Sequence, residues 1–327
     1  MRILVSGGAG YIGSFTVHRL LAEGHSVVVF DNLSLGHAAA VPAGLLRSGD
    51  LADTAGLDAL FAAEGIEAVI HFAASTAVGE SVVEPAIYYR NNITNSLHLI
   101  EAARRHGVRR FVFSSTAATY GVPQQVPIPE DHLQSPVNPY GRTKLVVEQM
   151  LADFAAAYGL GFAALRYFNA AGASIDGTRG EDHTPETHLI PLALQTALGR
   201  RSHLDLFGTD YPTPDGTCIR DFVHVEDLAD AHLRALAAIE PGRGRAWNVG
   251  TGTGYSVREV IRTCEEVCGR AIPVREGPRR AGDPPALVAD PARIRRELGW
   301  EPRFPALRSI IETAWRWHSS HPHGYAG

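Results

Sequence analysis

Through the first half of the chain, short runs of β-branched and other apolar residues alternate with longer stretches whose apolar positions recur every three or four residues. The runs Ile3 to Ser6, Ser26 to Phe30, Leu45 to Arg47, Ala68 to Phe72, Arg109 to Ser114 and Gly161 to Arg166 read as strands. Between them, Val17, Leu20 and Leu21, and later Leu97, Leu99, Ile100 and Ala103, carry helical spacing. Strands separated by helices build βαβ units, so the pattern predicts an α/β fold with a Rossmann-type doubly wound parallel sheet. After about Asn169 the alternation weakens, and Gly, Pro and short motifs dominate 172–187 and 209–216. Two domains are expected: 1–169 carrying the sheet, and 170–327 forming a smaller mixed α/β unit that loops across the mouth of the first and can return to it.

Composition removes several classes of function. Thirty basic against 35 acidic residues give a net charge of -5 and a pI near 6.3, so there is no general basic surface for a nucleic-acid backbone. No apolar run approaches the ~18 residues that cross a bilayer, and Met1 to Val5 run into glycines before a signal core forms; the expected location is the cytoplasm. Cys264 and Cys268 lie four apart with no second pair, and read as packing residues. His318, His321 and His323 read as a solvated tail, and no metal site is expected. Of the 30 basic residues 29 are Arg, and Lys144 alone keeps a compact ammonium.

Directly after the first strand comes Gly7-Gly8-Ala9-Gly10-Tyr11-Ile12-Gly13, a turn of three spaced glycines opening into a helix. Missing β-carbons let the backbone approach a pyrophosphate, and the helix N-terminus offers it free N–H groups. Asp31, at the end of the second strand, suits an adenosine ribose and repels a 2′-phosphate, which favours NAD over NADP. Asp50, after the third strand, is placed to meet the adenine.

Residues 138–144 read Asn-Pro-Tyr-Gly-Arg-Thr-Lys, with Asn138 as N-cap and Pro139 opening the helix. Tyr140 and Lys144 are one turn apart on one helical face. A phenol ionises near ~10, and an ammonium together with an oxidised nicotinamide favours phenolate, making Tyr140 a general base and acid. Ser114-Ser115-Thr116 ends the fifth strand, and Thr116 is the hydroxyl expected to bond the reacting oxygen. A plainer role, in which Thr116 merely caps the next turn, stays open.

These motifs, in this order, resemble those of the extended short-chain dehydrogenases/reductases. Asp31-Asn32-Leu33, Ala77 to Ser81, Leu165 to Asn169, Arg220 to Val225 and His321 to Tyr325 narrow the resemblance, over nearly the whole chain, to the UDP-glucose 4-epimerase (UDP-galactose 4-epimerase) family. The resemblance implies a tightly held NAD, reduced and reoxidised within one turnover while a 4-keto sugar turns over in the site. It carries the cofactor site onto Gly7, Gly10, Tyr11, Ile12, Gly13, Asp31, Asn32, Leu33, Ser34, Gly36, Asp50, Leu51, Phe72, Ala73, Ala74, Thr76, Asn91, Tyr140, Lys144, Tyr167 and Phe168. It places a UDP-sugar against Thr116, Tyr140, Asn169, His188, Leu189, Asp205, Phe207, Arg220, Arg280, Asp283 and Leu287. Arg220 and Arg280 match positions that neutralise the diphosphate, and Asp283 the acid on the uridine ribose. Asn169, His188 and Leu189 match positions around diphosphate and uracil, and Asp205 to Phe207 a strand along the uracil.

Three departures accompany the match: Thr116 where Ser is common, Thr76 where a lysine is usual, and His188 where Asn is common. Leu287 stands where residue size gates the sugar pocket, and its intermediate volume implies some turnover of UDP-N-acetylglucosamine. UDP-pentose and UDP-glucuronate 4-epimerases share the reaction centre and remain alternatives. A dehydratase or decarboxylase needs acids after Thr116, where Ala117 and Ala118 stand. A non-catalytic dinucleotide sensor has no use for the Tyr140/Lys144 pair. The family analogy also implies a homodimer through helices around Glu84 to His106 and Tyr140 to Tyr158.

Overall fold

The computed structural model describes residues 1–280 and 283–325. The first half carries strands β1 (Arg2–Ser6), β2 (Ser26–Asp31), β3 (Leu46–Ser48), β4 (Ala68–His71), β5 (Arg110–Thr116) and β6 (Gly161–Tyr167). Its helices are α1 (Tyr11–Ala22), α2 (Thr54–Glu64), α3 (Val78–Val83), α4 (Pro85–Tyr88), α5 (Asn95–Arg105) and α6 (Pro139–Tyr158). The second half adds β7 (Asn169–Ala171), β8 (Leu204–Phe207), β9 (Ile219–His224), β10 (Gly244–Val249), β11 (Gly254–Ser256), β12 (Val274–Gly277) and β13 (Ala286–Leu287). Its helices are α7 (Leu189–Ala197), α8 (Val225–Ala237), α9 (Val257–Cys268), α10 (Ala292–Leu298) and α11 (Leu307–Ser320).

Seven strands form one parallel sheet in the order β10-β6-β5-β4-β1-β2-β3, which is the doubly wound architecture. Because alternate strand residues point to opposite faces, Ile3, Val5 and Val29 join one core with Val17 and Leu20 of α1 and Leu228 and Ala231 of α8. Leu4, Val28 and Val69 join the other, with Leu57 of α2, Leu99 and Ile100 of α5 and Val147 and Leu151 of α6. The strand order reverses between β1 and β4, so the crevice at their carboxyl ends is the expected ligand site.

From the second half of the chain, β10 pairs with β6 in parallel and lies at the sheet edge, and α8 packs beside α1. Shorter strands β7, β9, β11 and β13 form a second sheet around β9, and β8 pairs with β12. A third core, with Leu194, Leu204, Phe222, Val260 and Ile310, holds that part together; Cys264 lies within it and Cys268 packs against it. The single helix expected over Glu84 to His106 is instead α4, a π-helical turn at Tyr89–Thr94, and α5. The wider turn rotates Asn91 and Asn92 toward the segment after β4, which a continuous 3.6-residue repeat would not do. The tail reading of the histidines is also corrected: α11 runs to Ser320, which buries His318, and His321 stacks on Trp317 at 3.9 Å between ring centroids. No helix among the described residues is long and apolar enough to cross a membrane.

Candidate active site

The glycine turn fits a dinucleotide for local reasons. Gly7 has φ +74, and a β-carbon there would sit 2.4 Å from Ala73 N. A β-carbon at Gly13 would meet Gly7 O at 2.2 Å, so both glycines are required for the backbone to fold onto itself. Gly10 is different: its nearest such neighbour is Gly7 O at 3.4 Å, so the space beside it is not filled by the protein and lies open to a ligand. Gly10 is also the N-cap of α1, with no capping side chain and no acid in the first turn, which leaves amide N–H groups and partial positive charge for a pyrophosphate. Phe72 and Ala73 donate their amides to Ser6 O at 2.8 and 3.1 Å, bringing the end of β4 against the turn.

Asp31 accepts from Ala9 N at 2.9 Å and from Leu33 N at 2.9 Å, so it shapes the glycine turn while lying at its rim. Leu33 sits at φ +59, and Gly36 packs on Ala9. Asn32 donates to Asp50 at 2.8 Å, and the Ala52 amide together with this bond holds the Asp50 carboxyl below its ordinary pKa. Ser34, Asp50 and Asn91 line one groove of about 550 Å³ with Ser75, Ile87 and Arg90. Leu51 is buried, its carbonyl facing His98 at 3.1 Å. Ala74 is half-buried and Thr76 exposed on the segment between groove and turn. Ile12 packs into the core, and the Tyr11 hydroxyl donates to Gly172 O at 2.6 Å, spending its polar end on the second half of the chain.

Asn138 accepts from Gly141 N at 2.8 Å and Pro139 opens α6, so the first turn holds Tyr140 rigidly beside the end of β5. The Thr116 hydroxyl faces the phenol and also accepts from Ala118 N at 3.2 Å; it both caps and reaches the site. Burial pushes the Tyr140 phenol up to about 12, and the Thr116 hydroxyl opposes that rise. Lys144 is 2 % exposed, and its Nζ donates to Ser114 O at 2.9 Å over the face of Phe113. Burial lowers Lys144 to about 7, with Glu148 pulling the other way. The phenolate expected from an ammonium together with an oxidised nicotinamide concerns the cofactor-bound site; within the chain itself the ammonium is anchored on the Ser114 carbonyl, one turn from the phenol.

The substrate candidates form a connected path. Leu287 packs with Ala117, Tyr120 and Phe168 just past Thr116, and pairs with Arg220 across the β13–β9 register. Arg220 forms an ion pair with Asp283, whose amide donates to Arg280 O at 3.3 Å. Arg280 lies over the Phe207 ring at 4.2 Å. Asp205 shares a strand face with Phe207, but its carboxylate is held by Arg275 at 2.6 Å. Asn169 opens β7; His188 caps the start of α7 and contacts Glu181, and Leu189 is the first residue of that helix.

Several supporting contacts carried no sequence signal. Asn92, 2 % exposed, bonds Ser75 N at 2.8 Å and Thr143 at 3.1 Å, tying the segment after β4 to α6 beside Lys144. Glu148 and Arg166 pair at 2.6 Å in the interior, and Glu148 also accepts from Ser115. Tyr167 bonds Ser114 through its hydroxyl, and burial raises its pKa. Each links positions dozens of residues apart or through the packed interior, which no local pattern encodes.

The sequence profile of the family described as "NAD dependent epimerase/dehydratase family" matches residues 3–250. The chain is 51% identical over 327 residues to the UDP-glucose 4-epimerase of Halalkalibacterium halodurans, covering 100% of this chain and 98% of that one. It superposes with a TM-score of 0.92 and 52% identity on the UDP-glucose 4-epimerase from Brucella ovis in complex with NAD, over 96% of this chain and 97% of that one. The UDP-glucose 4-epimerase from Bifidobacterium longum in complex with NAD+ and UDP gives a TM-score of 0.95 at 37% identity, over 99% of this chain and 100% of that one. A profile that spans the sheet and glycine turn, joined to identity along the full length, places this protein in the NAD dependent epimerase/dehydratase family.

Proposed function

We propose that this chain is an NAD-dependent epimerase that inverts C4 of a UDP-hexose, interconverting UDP-glucose and UDP-galactose. The observation that carries the reading is Tyr140 facing Thr116 at the carboxyl end of β5, beside the glycine turn of a chain with full-length similarity to such enzymes. The α1 N-terminus, the glycine turn and Asp31 would hold NAD, which when bound supplies the hydride acceptor and donor for C4. Tyr140 takes the proton of the sugar 4-hydroxyl and gives it back; Thr116 bonds the same oxygen and keeps it in reach. Lys144 supplies a fixed positive charge next to that centre and Ser114 O fixes its position. Arg220, Arg280 and Asp283 grip the nucleotide, with the Arg220–Asp283 pair opening to share its charge with the diphosphate. A firm hold on UDP beside the apolar cluster of Ala117, Tyr120, Phe168 and Leu287 leaves the sugar free to present either face.

Leu287 favours a broader reading, in which N-acetylated sugars are also turned over. The enzyme is proposed to work in the cytoplasm as a homodimer. Val82, Val83 and Ile87 are exposed on the α3–α4 run that packs beside α6, Tyr89 is exposed at the start of the π-helical turn that follows, and together they supply an apolar face for a second copy. Conversion of UDP-galactose to UDP-glucose by the purified protein, without added reductant, tests the central reading; no conversion of any UDP-sugar, with no change in the reduced-nicotinamide absorbance, would reject it. Light scattering on the same preparation tests the dimer.

A further inference from the structure

Away from Tyr140 and Thr116, four side chains of metal-ligand type converge on one point. Glu181, His183, Glu186 and His188 fall within eight residues on the segment between β7 and α7, and one donor atom from each lies within 4.8 Å of all the others. We propose that these four residues bind one divalent transition-metal ion of the zinc class, which pins this segment at the entry to α7.

Four histidine–carboxylate separations lie close to those of a four-ligand site, with the two oxygens of Glu186 facing one histidine each. His183 Nδ1 lies 3.4 Å from Glu181 Oε1 and 3.8 Å from Glu186 Oε2, and His188 Nδ1 lies 3.5 Å from Glu186 Oε1. A tetrahedral ion with bonds of ~2.0–2.1 Å has edges of roughly 3.3 Å between donors. A fourth pair, His188 Nδ1 and Glu181 Oε1 at 2.5 Å, opens by less than an ångström to reach that spacing.

A second observation separates this arrangement from an ordinary cluster of ion pairs. The Glu181 and Glu186 side chains are 3 % and 4 % exposed, so both carboxylates are withdrawn from water. Yet Glu181 Oε1 and His183 Nδ1 have no well-directed hydrogen bond. Their lone pairs and ring nitrogens crowd one point, where a buried network would align each N–H with one oxygen. Two carboxylates also neutralise a dication with both rings uncharged, which removes the cost of leaving them unpaired in the interior.

The donor set selects the ion. Two imidazole nitrogens with two carboxylate oxygens suit zinc, cobalt or nickel; magnesium and calcium require oxygens throughout. Surrounding groups orient the ligands: Trp317 Nε1 donates to Glu181 O at 3.0 Å, Thr187 N and His188 N donate to Glu186 at 2.7 and 2.9 Å, and the Tyr11 ring stands edge-on to His183. Tyr11 opens the helix after the glycine turn, so the ion would fasten the loop leading into α7 to the cofactor side of the cleft. Metal on His188 Nδ1 also fixes the proton on Nε2, leaving a donor for substrate; this last point rests on the proposed substrate position of His188.

Metal content decides the matter without reference to turnover. The full chain is expressed with zinc, dialysed against metal-free buffer and assayed by elemental mass spectrometry; about one zinc per chain is expected. The metal-free protein titrated with Co2+ is expected to give the intense visible bands of a tetrahedral site at one equivalent. His183→Ala and Glu181→Gln are each expected to lower both stoichiometries at least tenfold. Wild-type protein that keeps no zinc and gives no tetrahedral cobalt spectrum overturns the proposal even if both variants fail to fold, and so does either variant, folded, that binds like wild type.

Discussion

Lys144 Nζ donates to the carbonyl of Ser114 at 2.9 Å, so the chain's one lysine is tied to the strand that presents Thr116, not to the phenol one turn before it. At 2 % exposure the side chain lies in the packed interior, where a guanidinium would bring a larger, planar group with a different bonding geometry. Lys144→Arg and Lys144→Met are both expected to lower kcat for UDP-galactose conversion by about 10²–10⁴. Activity of the Arg variant within threefold of wild type would show that a guanidinium fits and serves there equally well.

Tyr140 and Thr116 are predicted to act together on one oxygen. Tyr140→Phe is expected to cost about 10²–10⁴ in kcat with KM for the UDP-sugar little changed, since the nucleotide grip lies elsewhere. Thr116→Ser keeps the hydroxyl and should stay within about tenfold, whereas Thr116→Val, which keeps the shape and loses the donor, should fall with Tyr140→Phe. Steady-state kinetics on the three variants is the check; equal activity of Ser and Val at 116 would refute the role of the hydroxyl.

Lys144, Tyr140 and Thr116 are legible in the amino-acid sequence because a helix face and a strand end are local patterns. Asn138, Pro139, Tyr140 and Lys144 fall where their spacing puts them, and Asp31 ends β2 as its position implies. Pairings between distant residues are not legible in this way. Asp283 reaches Arg220 across 63 positions, Asn92 reaches Thr143 across 51, and β10 finds the free edge of β6 after a long excursion. The π turn at Tyr89–Thr94 likewise has no periodic signature, since its amphipathic pattern differs from an α-helix by one residue.

The buried Glu148–Arg166 pair makes a stability prediction. Arg166 also donates to the Tyr120 hydroxyl and to Glu130 O, both at 3.0 Å, so it is fully engaged under the site. Arg166→Met leaves the Glu148 carboxylate buried and unpaired, and should destabilise the fold by about 3–5 kcal/mol. Adding Glu148→Gln removes the orphaned charge and should recover part of that loss. Urea denaturation of the single and double variants measures both, and a single variant as stable as wild type would contradict the assignment.

His71 predicts an acid limb in stability. Its ring lies between the hydroxyls of Ser6 at 2.7 Å and Ser96 at 2.8 Å, and burial, then the charge of Lys144, lowers its pKa to about 3. The unfolded ring titrates near ~6.5, so below that pH the unfolded chain binds more protons and the folded state loses stability as pH falls toward 3. Between pH 7 and pH 5 this one ring should cost about 2 kcal/mol. His71→Gln is expected to be less stable at pH 7 but to show a shallower fall by that amount; parallel curves for variant and wild type would exclude the ring as the source.

Leu287 connects the fold to specificity. It stands on β13 opposite Arg220 and against Ala117, Tyr120 and Phe168, so its side chain borders the space between the nucleotide grip and the reacting hydroxyls. An N-acetyl group adds bulk, and a leucine is smaller than an aromatic ring at the position proposed to gate it. In an apolar pocket, a size change of this kind is worth about 1–3 kcal/mol, or 10–200-fold in kcat/KM. Wild-type protein is therefore expected to turn over UDP-N-acetylglucosamine as well as UDP-glucose, and Leu287→Tyr to lose at least tenfold on the N-acetylated sugar while retaining the plain hexose. Competition assays with both sugars on both proteins read the ratio directly: no N-acetyl turnover in wild type, or an equal drop for both sugars in the variant, would place the gate elsewhere.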